Sequence, residues 1–236
     1  MEKKRSDILK IIAILTMLID HIGYLFFPDQ VLWRVIGRIS FPIFAYLVAL
    51  GAFRTRNVYR YGGRLLAFAL VSQIPYNYMA PGRLNIFFTL LAGVLMVRLF
   101  ESKYQPVALF FPIIGEFLQL SYGAYGLIMI LFFHIWKDKP RAILLAYLGL
   151  TALSLVDYGG QVMDLLRPLT AEYGLWTGIY KLLSTSWGWV QSCSVLALPL
   201  ILLEDRIAIP VRLPKWLGYG FYPLHIALLV YIRSRL

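Results

Sequence analysis

From Ile8 to Ile232 the sequence repeats one pattern: an apolar run about as long as a membrane helix requires, roughly 20 residues, then a short polar connection. A chain built this way has few folds open to it. In lipid every backbone N–H and C=O must be satisfied within its own segment, so the runs are expected to be helices. Nine runs read as spans, at about 8 to 27, 32 to 53, 61 to 79, 84 to 100, 105 to 120, 122 to 136, 141 to 157, 187 to 203 and 216 to 234. The runs at 105 and 122 are short and nearly continuous, so a re-entrant pair or one broken helix is open there. With 60% hydrophobic residues in 236, the apolar side chains exceed what a soluble domain of this length buries. The expected fold is all-α, a polytopic integral-membrane helical bundle forming a single domain over residues 1–236. The basic start MEKKRSD resembles a signal peptide, but no small-residue cleavage site follows Phe27 and many more spans do, so a retained first helix is expected.

The net charge of +11 does not point to nucleic acid, because the Lys and Arg sit between spans, where cytoplasmic bias places them. RTRNVYR at 54–60, ESK at 101–103, KDKPR at 137–141 and EDRIAIPVRLPK at 204–215 alternate onto the side of the N-terminal KKR. That side is expected to be cytoplasmic, with the C-terminus outside. The one long connection, 158–186, alternates apolar residues with Asp164, Arg167, Glu172 and Lys181 and reads as an extracytoplasmic amphipathic insertion, either a lid or acceptor platform or a plain surface connector. Cys193 is the single cysteine, and three histidines on three helices give no metal-ligand spacing, so no metal is expected.

Within the first run, LIDHIGYL places Asp20 and His21 together in apolar surroundings. An intramembrane Asp costs about 2.5 to 3.5 kcal/mol, while the twelve Leu, Ile and Phe of residues 8–27 contribute on the order of 4 to 7 kcal/mol, so the span inserts despite the pair. Thr16, Asp20, Gly23 and Tyr24 share one helical face, which should look into the protein, and His21 lies about 100° round from Asp20. Arg34, Arg38, Gln73, Asn85, Glu116, Tyr122 and Gln191 fall near the same outer depth, and His225 lies mid-helix just after Pro223. Such convergence marks a functional site. His21 is the candidate base, with its orienting carboxylate either Glu116 or a water-bridged Asp20.

Blander readings stand beside these. Asp20 with Arg38 could be an ion pair that only fixes packing. His134 reads as an interfacial anchor, Asn85 with Thr89 and Gly93 as a close-packing face, and Tyr122 to Gly126 as a helix start or a backbone-accessible ligand site. Arg54, Arg56, Arg60 and Arg64 could hold the phosphates of a cytosolic cofactor or simply follow the positive-inside bias. No GxGxxG, P-loop, HExxH or GxSxG motif is present.

Taken together, DHIG at 20–23, GRISFPIFAY at 37–46, NIFFTLL at 85–91, YGAYG at 122–126 and FYPLH at 221–225 resemble the TraX family of membrane proteins along nearly the whole chain, least over 158–186. The family is named after a conjugation protein that acetylates the N-terminal amine of F pilin. It is similar to the wider transmembrane acyltransferases, which include acyltransferase family three and the lysosomal heparan-glucosaminide N-acetyltransferase. The resemblance implies a bacterial inner-membrane acetyltransferase that takes acetyl-CoA from the cytosol and modifies an amine or hydroxyl on the outer side. The acceptor is then a peptide, an amino sugar or a small molecule, met among membrane lipid. On that reading Arg54, Arg56, Arg60 and Arg64 would take the cofactor phosphates, with Tyr122 a further cofactor residue. His21 would be general base or transient acetyl carrier, positioned by Asp20; Arg38 or Asn85 would stabilise the oxyanion and His225 would be a second acid or base. The rival from another class is a proton-coupled small-molecule transporter using Asp20, His21 and Arg38, and a non-catalytic assembly protein is a third reading.

Overall fold

The structure is a computed structural model, and it describes residues 7–153, 187–204 and 211–236. The helices are α1 (Ile8–Phe26), α2 (Val31–Gly37), α3 (Ser40–Arg54), α4 (Val58–Met79), α5 (Ile86–Phe100), α6 (Gln105–Ala108), α7 (Phe111–Phe117) and α8 (Gly123–Ile135). They continue with α9 (Pro140–Leu153), α10 (Trp187–Ser192), α11 (Leu198–Leu202) and α12 (Lys215–Arg233), with a 3₁₀ turn over Cys193–Ala197 between α10 and α11. No strand occurs among the described residues; a lone parallel bridge pairs Leu84 with Leu120.

The all-helical class holds, but the count of nine full-length spans does not. Among the described residues, two helical segments are long and apolar enough to cross a membrane, Ile8–Phe26 and Val31–Arg54; the other apolar helices are shorter. Prolines account for part of the shortening. The run expected over 32–53 breaks after Gly37, because Pro42 has no N–H to return to the Arg38 carbonyl and its ring crowds that carbonyl. The backbone tightens there instead, with Ile39 N–H donating to Ile36 O at 3.2 Å. Pro106, Pro112 and Pro199 stand in the first turns of α6, α7 and α11. The expectation for 158–186 lies outside the described residues.

The core is made by α1, α3, α4, α5, α8 and α12. Ala13, Ala45, Ala52 and Ala69 are fully buried, which lets these helices approach closely. Outside the core the molecule is also apolar: Leu70 and Ile74 on α4, Ile113 and Phe117 on α7, Leu145 on α9 and Leu224 on α12 are exposed.

Two features set the position of α1. At its start, Asp7 N–H donates to Val211 O at 2.9 Å and Asp7 Oδ2 accepts from Leu213 N–H at 3.0 Å, which clasps the beginnings of α1 and α12 together. The two helices lie against one another and run in the same direction. At one level higher, α2 folds back on α1 so closely that a Cβ on Gly37 would collide with the Asp20 carboxylate, so only glycine permits this approach.

Candidate functional site

The site grows from the two consecutive residues Asp20 and His21, which turn to different neighbours because successive side chains on a helix diverge by about 100°. Asp20 is buried and faces α2, and its carboxylate accepts from Arg34 Nη1 at 2.7 Å and from Arg38 Nη2 at 2.9 and 3.0 Å. Arg34 Nη1 also reaches the Asp20 carbonyl at 3.1 Å. All three side chains are nearly out of solvent, at 11 to 13% exposure, so one carboxylate holds two guanidiniums in a medium where leaving either charge unpaired is costly. The break between α2 and α3 is what brings Arg38 to this carboxylate, since Arg38 is the residue at the tightened turn.

Arg38 extends the cluster. Its Nη1 donates to Gln191 Oε1 on α10 at 3.2 Å, and its guanidinium carbon lies 6.0 Å from the centre of the Tyr122 ring, which stacks on Phe41.

His21 faces α12. Its Nδ1 lies 2.7 Å from His225 Nε2, and His225 Nδ1 lies 2.7 Å from the Phe221 carbonyl oxygen. A carbonyl only accepts, so His225 carries its proton on Nδ1, and in the neutral pair its Nε2 accepts from His21 Nδ1–H. The proton of His21 is thereby fixed on Nδ1. Its Nε2 is left as a bare lone pair, the form that a base or nucleophile requires. The rings are near-parallel, with centres 5.0 Å apart, and Tyr222 sits edge-on to both.

The clasp at Asp7 explains why these two histidines meet. Residues 7 to 21 climb about 21 Å and residues 213 to 225 about 18 Å at the helical rise, so both imidazoles arrive at one level.

Several expectations change. The group that orients His21 is His225, neither Asp20 nor Glu116. Glu116 lies on α7, and its Oε1 accepts from the backbone N–H of Ala124 at 2.7 Å, where a carboxylate satisfies the open donors at the start of α8. Asn85 does not supply an oxyanion donor: its amide donates to Ala69 O at 2.7 Å and Gln73 Oε1 at 2.8 Å, its oxygen accepts from Phe87 N–H at 3.0 Å, and it is fully buried as the cap of α5. Tyr122 is not brought to the arginines proposed for a cofactor. It stacks at the Phe41 end of α3, while Arg54 closes the other end, about 20 Å along the axis. Arg54, Arg56, Arg60 and Arg64 are all exposed around the α3–α4 connection, and Arg64 lies over the Tyr61 and Tyr219 rings at 5.9 and 5.7 Å. His134 is no interfacial anchor; it is 6% exposed and pairs through Nε2 with Glu101 at 3.1 Å. Among the described residues no group of acidic, His and Cys side chains could hold a metal ion.

An all-helical membrane protein whose buried polar groups assemble across α1, α2, α10 and α12 is thus the class that fold and site define. The chain belongs to the TraX family: the family model described as TraX protein matches residues 5–233. It is similar to a probable fimbrial assembly protein FimC, serogroup H1, of Dichelobacter nodosus, 30% identical over 169 residues that cover 63% of this chain and 68% of that one. It is also similar to Protein TraX of Escherichia coli strain K12, 28% identical over 198 residues, 78% of this chain and 79% of the relative. No solved structure matches.

Proposed function

We propose that the protein is a polytopic inner-membrane acetyltransferase that moves an acetyl group from acetyl-CoA, taken from the cytosol, to an amine or hydroxyl at the outer side. The observation that carries this reading is the His21–His225 contact, which leaves His21 Nε2 unprotonated beside a cluster of buried cations. Multi-pass insertion is supported by the apolar exterior, where Leu70 is 58% and Ile113 66% exposed on helices other than the two longest. The parallel α1 and α12 begin on one side, in keeping with a cytoplasmic N-terminus and an outer C-terminus. The names of the two relatives, one a fimbrial assembly protein, are in keeping with an acceptor in a surface filament.

Acetyl-CoA supplies an acetyl thioester whose carbonyl carbon is open to attack by an amine, forming the C–N bond as the C–S bond breaks. Arg54, Arg56, Arg60 and Arg64 fit its phosphates, being four exposed cations around one connection. His21 Nε2 takes the proton of the attacking amine and returns it to the departing thiolate sulfur, so the enzyme ends as it began. His225 holds the tautomer. Asp20, with both oxygens engaged by arginines, holds Arg38 in place and is poorly suited to carry protons for a transporter.

The test is binding and slow hydrolysis of radiolabelled acetyl-CoA by the purified protein in detergent, beside His21→Ala. Saturable binding with His21-dependent release of acetate is expected. Absence of binding, or acetate release by His21→Ala at the wild-type rate, overturns the proposal.

A further inference from the structure

The hydrogen-bond donors around Arg38 outnumber their acceptors. Arg38 Nη2 is used by Asp20 and Nη1 by Gln191, but Arg38 Nε is buried with no hydrogen-bond partner. Gln191 shows the same deficit. Its Oε1 must face the guanidinium, because a carboxamide oxygen accepts and an arginine only donates, and this orientation leaves Nε2 buried and equally unpartnered. A buried donor without an acceptor costs about 1 to 3 kcal/mol, and native proteins keep such a group where a ligand completes it. Two occur here on residues that touch, from elements far apart in sequence, α10 and the α2–α3 turn. Both can only donate to what they meet. The missing group is therefore an acceptor oxygen, and the adjoining guanidinium favours one that carries negative charge.

We infer that Gln191 Nε2 and Arg38 Nε hold the acyl carbonyl oxygen of the donor and stabilise it as the carbonyl becomes tetrahedral, which makes Gln191 a further catalytic residue. This rests on the acetyltransferase reading above. Placement agrees with it: the carboxylate that fixes Arg38 belongs to Asp20, and the imidazole that accepts the amine proton belongs to the next residue on the same turn of α1. The attacking nitrogen and the carbonyl oxygen lie on different sides of the reacting carbon. His21 toward α12 and Gln191 from α10 give the two sides separate partners.

The discriminating variant is Gln191→Glu. It keeps an oxygen for Arg38 Nη1, and the guanidinium holds the new carboxylate ionised, so the structural contact survives while the Nε2 donor alone is replaced by a like charge. For the purified full chain in detergent, kcat and KM of acetyl-CoA hydrolysis are measured, together with the thermal midpoint. The infrared stretch of an isotopically labelled acetyl carbonyl in bound acetyl-CoA is recorded alongside. Expected for Gln191→Glu is a fall in kcat of about 100- to 1000-fold, a wild-type thermal midpoint and a carbonyl band shifted toward its frequency in free acetyl-CoA. Gln191→Met, which removes donor and acceptor together, should lose kcat similarly and move the band in the same direction. A wild-type kcat and an unshifted band in Gln191→Glu overturn the inference and leave Gln191 as a support for Arg38. Should Gln191→Glu fail to fold, a Gln191→Met protein with raised KM, retained kcat and an unshifted band does the same. A wild-type protein that neither binds nor hydrolyses acetyl-CoA overturns the acetyltransferase reading itself.

Discussion

His21 and Asp20 are adjacent in sequence and separate in what they touch, and this divergence sorts the consequences of replacing them. His21→Ala removes the bare nitrogen and should lower acetyl transfer about 100- to 10000-fold in kcat with an unchanged thermal midpoint. His225→Ala leaves that nitrogen in place but frees the tautomer, so a smaller fall in kcat with KM unaltered is expected in the same assay. Asp20→Ala strands two buried guanidiniums and should cost about 3 to 5 kcal/mol of stability, seen as a large drop in thermal midpoint in detergent. The sequence singled out Asp20, His21, Arg38 and His225 because ionisable residues in apolar runs are few and conspicuous. Which of them meet was not legible. His21 and His225 stand 204 positions apart, and no local pattern announces a contact at that separation. Asn85 misled for a related reason: a polar residue at the start of an apolar run looks the same whether it caps a helix or faces a substrate, and only the oxygen of Gln73 distinguishes the two.

At the scale of the element, the turn after Gly37 matters more than the helices it joins. Pro42→Ala restores the N–H that the Arg38 carbonyl lacks and should let α2 and α3 run on as one helix, withdrawing Arg38 from Asp20. The expected result is loss of activity with little change in helix content by circular dichroism; retention of full activity would show that the break does not position Arg38. Gly37→Ala drives a methyl group into the Asp20 carboxylate and should destabilise by about 1 to 3 kcal/mol, read as a lowered thermal midpoint. The hydrophobic pattern made the existence of nearly every helix readable, since α1, α4, α5, α8 and α12 fall within the expected runs. It did not make their breaks readable. A proline two or three residues inside an apolar run is compatible with a kink, a first turn or a full stop, and the choice depends on what the freed carbonyl and the neighbouring side chains then reach.

For the molecule as a whole, sidedness is the property most open to measurement. In a Cys193→Ser background, the only cysteine being thereby removed, a cysteine at Leu236 should react with an impermeant maleimide added to intact cells, and one at Arg56 should react only after permeabilisation. The reverse pattern would invert the cytoplasmic assignment of the N-terminus. Charge distribution made this orientation readable, and the clasp of Asp7 with Leu213 agrees with it by starting α1 and α12 at one level. The same clasp carries a consequence for biosynthesis. Because His21 waits for a partner that is 204 residues downstream, at 5 to 20 residues per second the ribosome delivers that partner about 10 to 40 s after the first helix has emerged. Throughout that interval α1 must sit in the bilayer with Asp20 already gripped by α2 and its imidazole still unpaired, so a nascent chain stalled before α12 is inserted, compact and inert, and catalytic competence becomes the last event of synthesis.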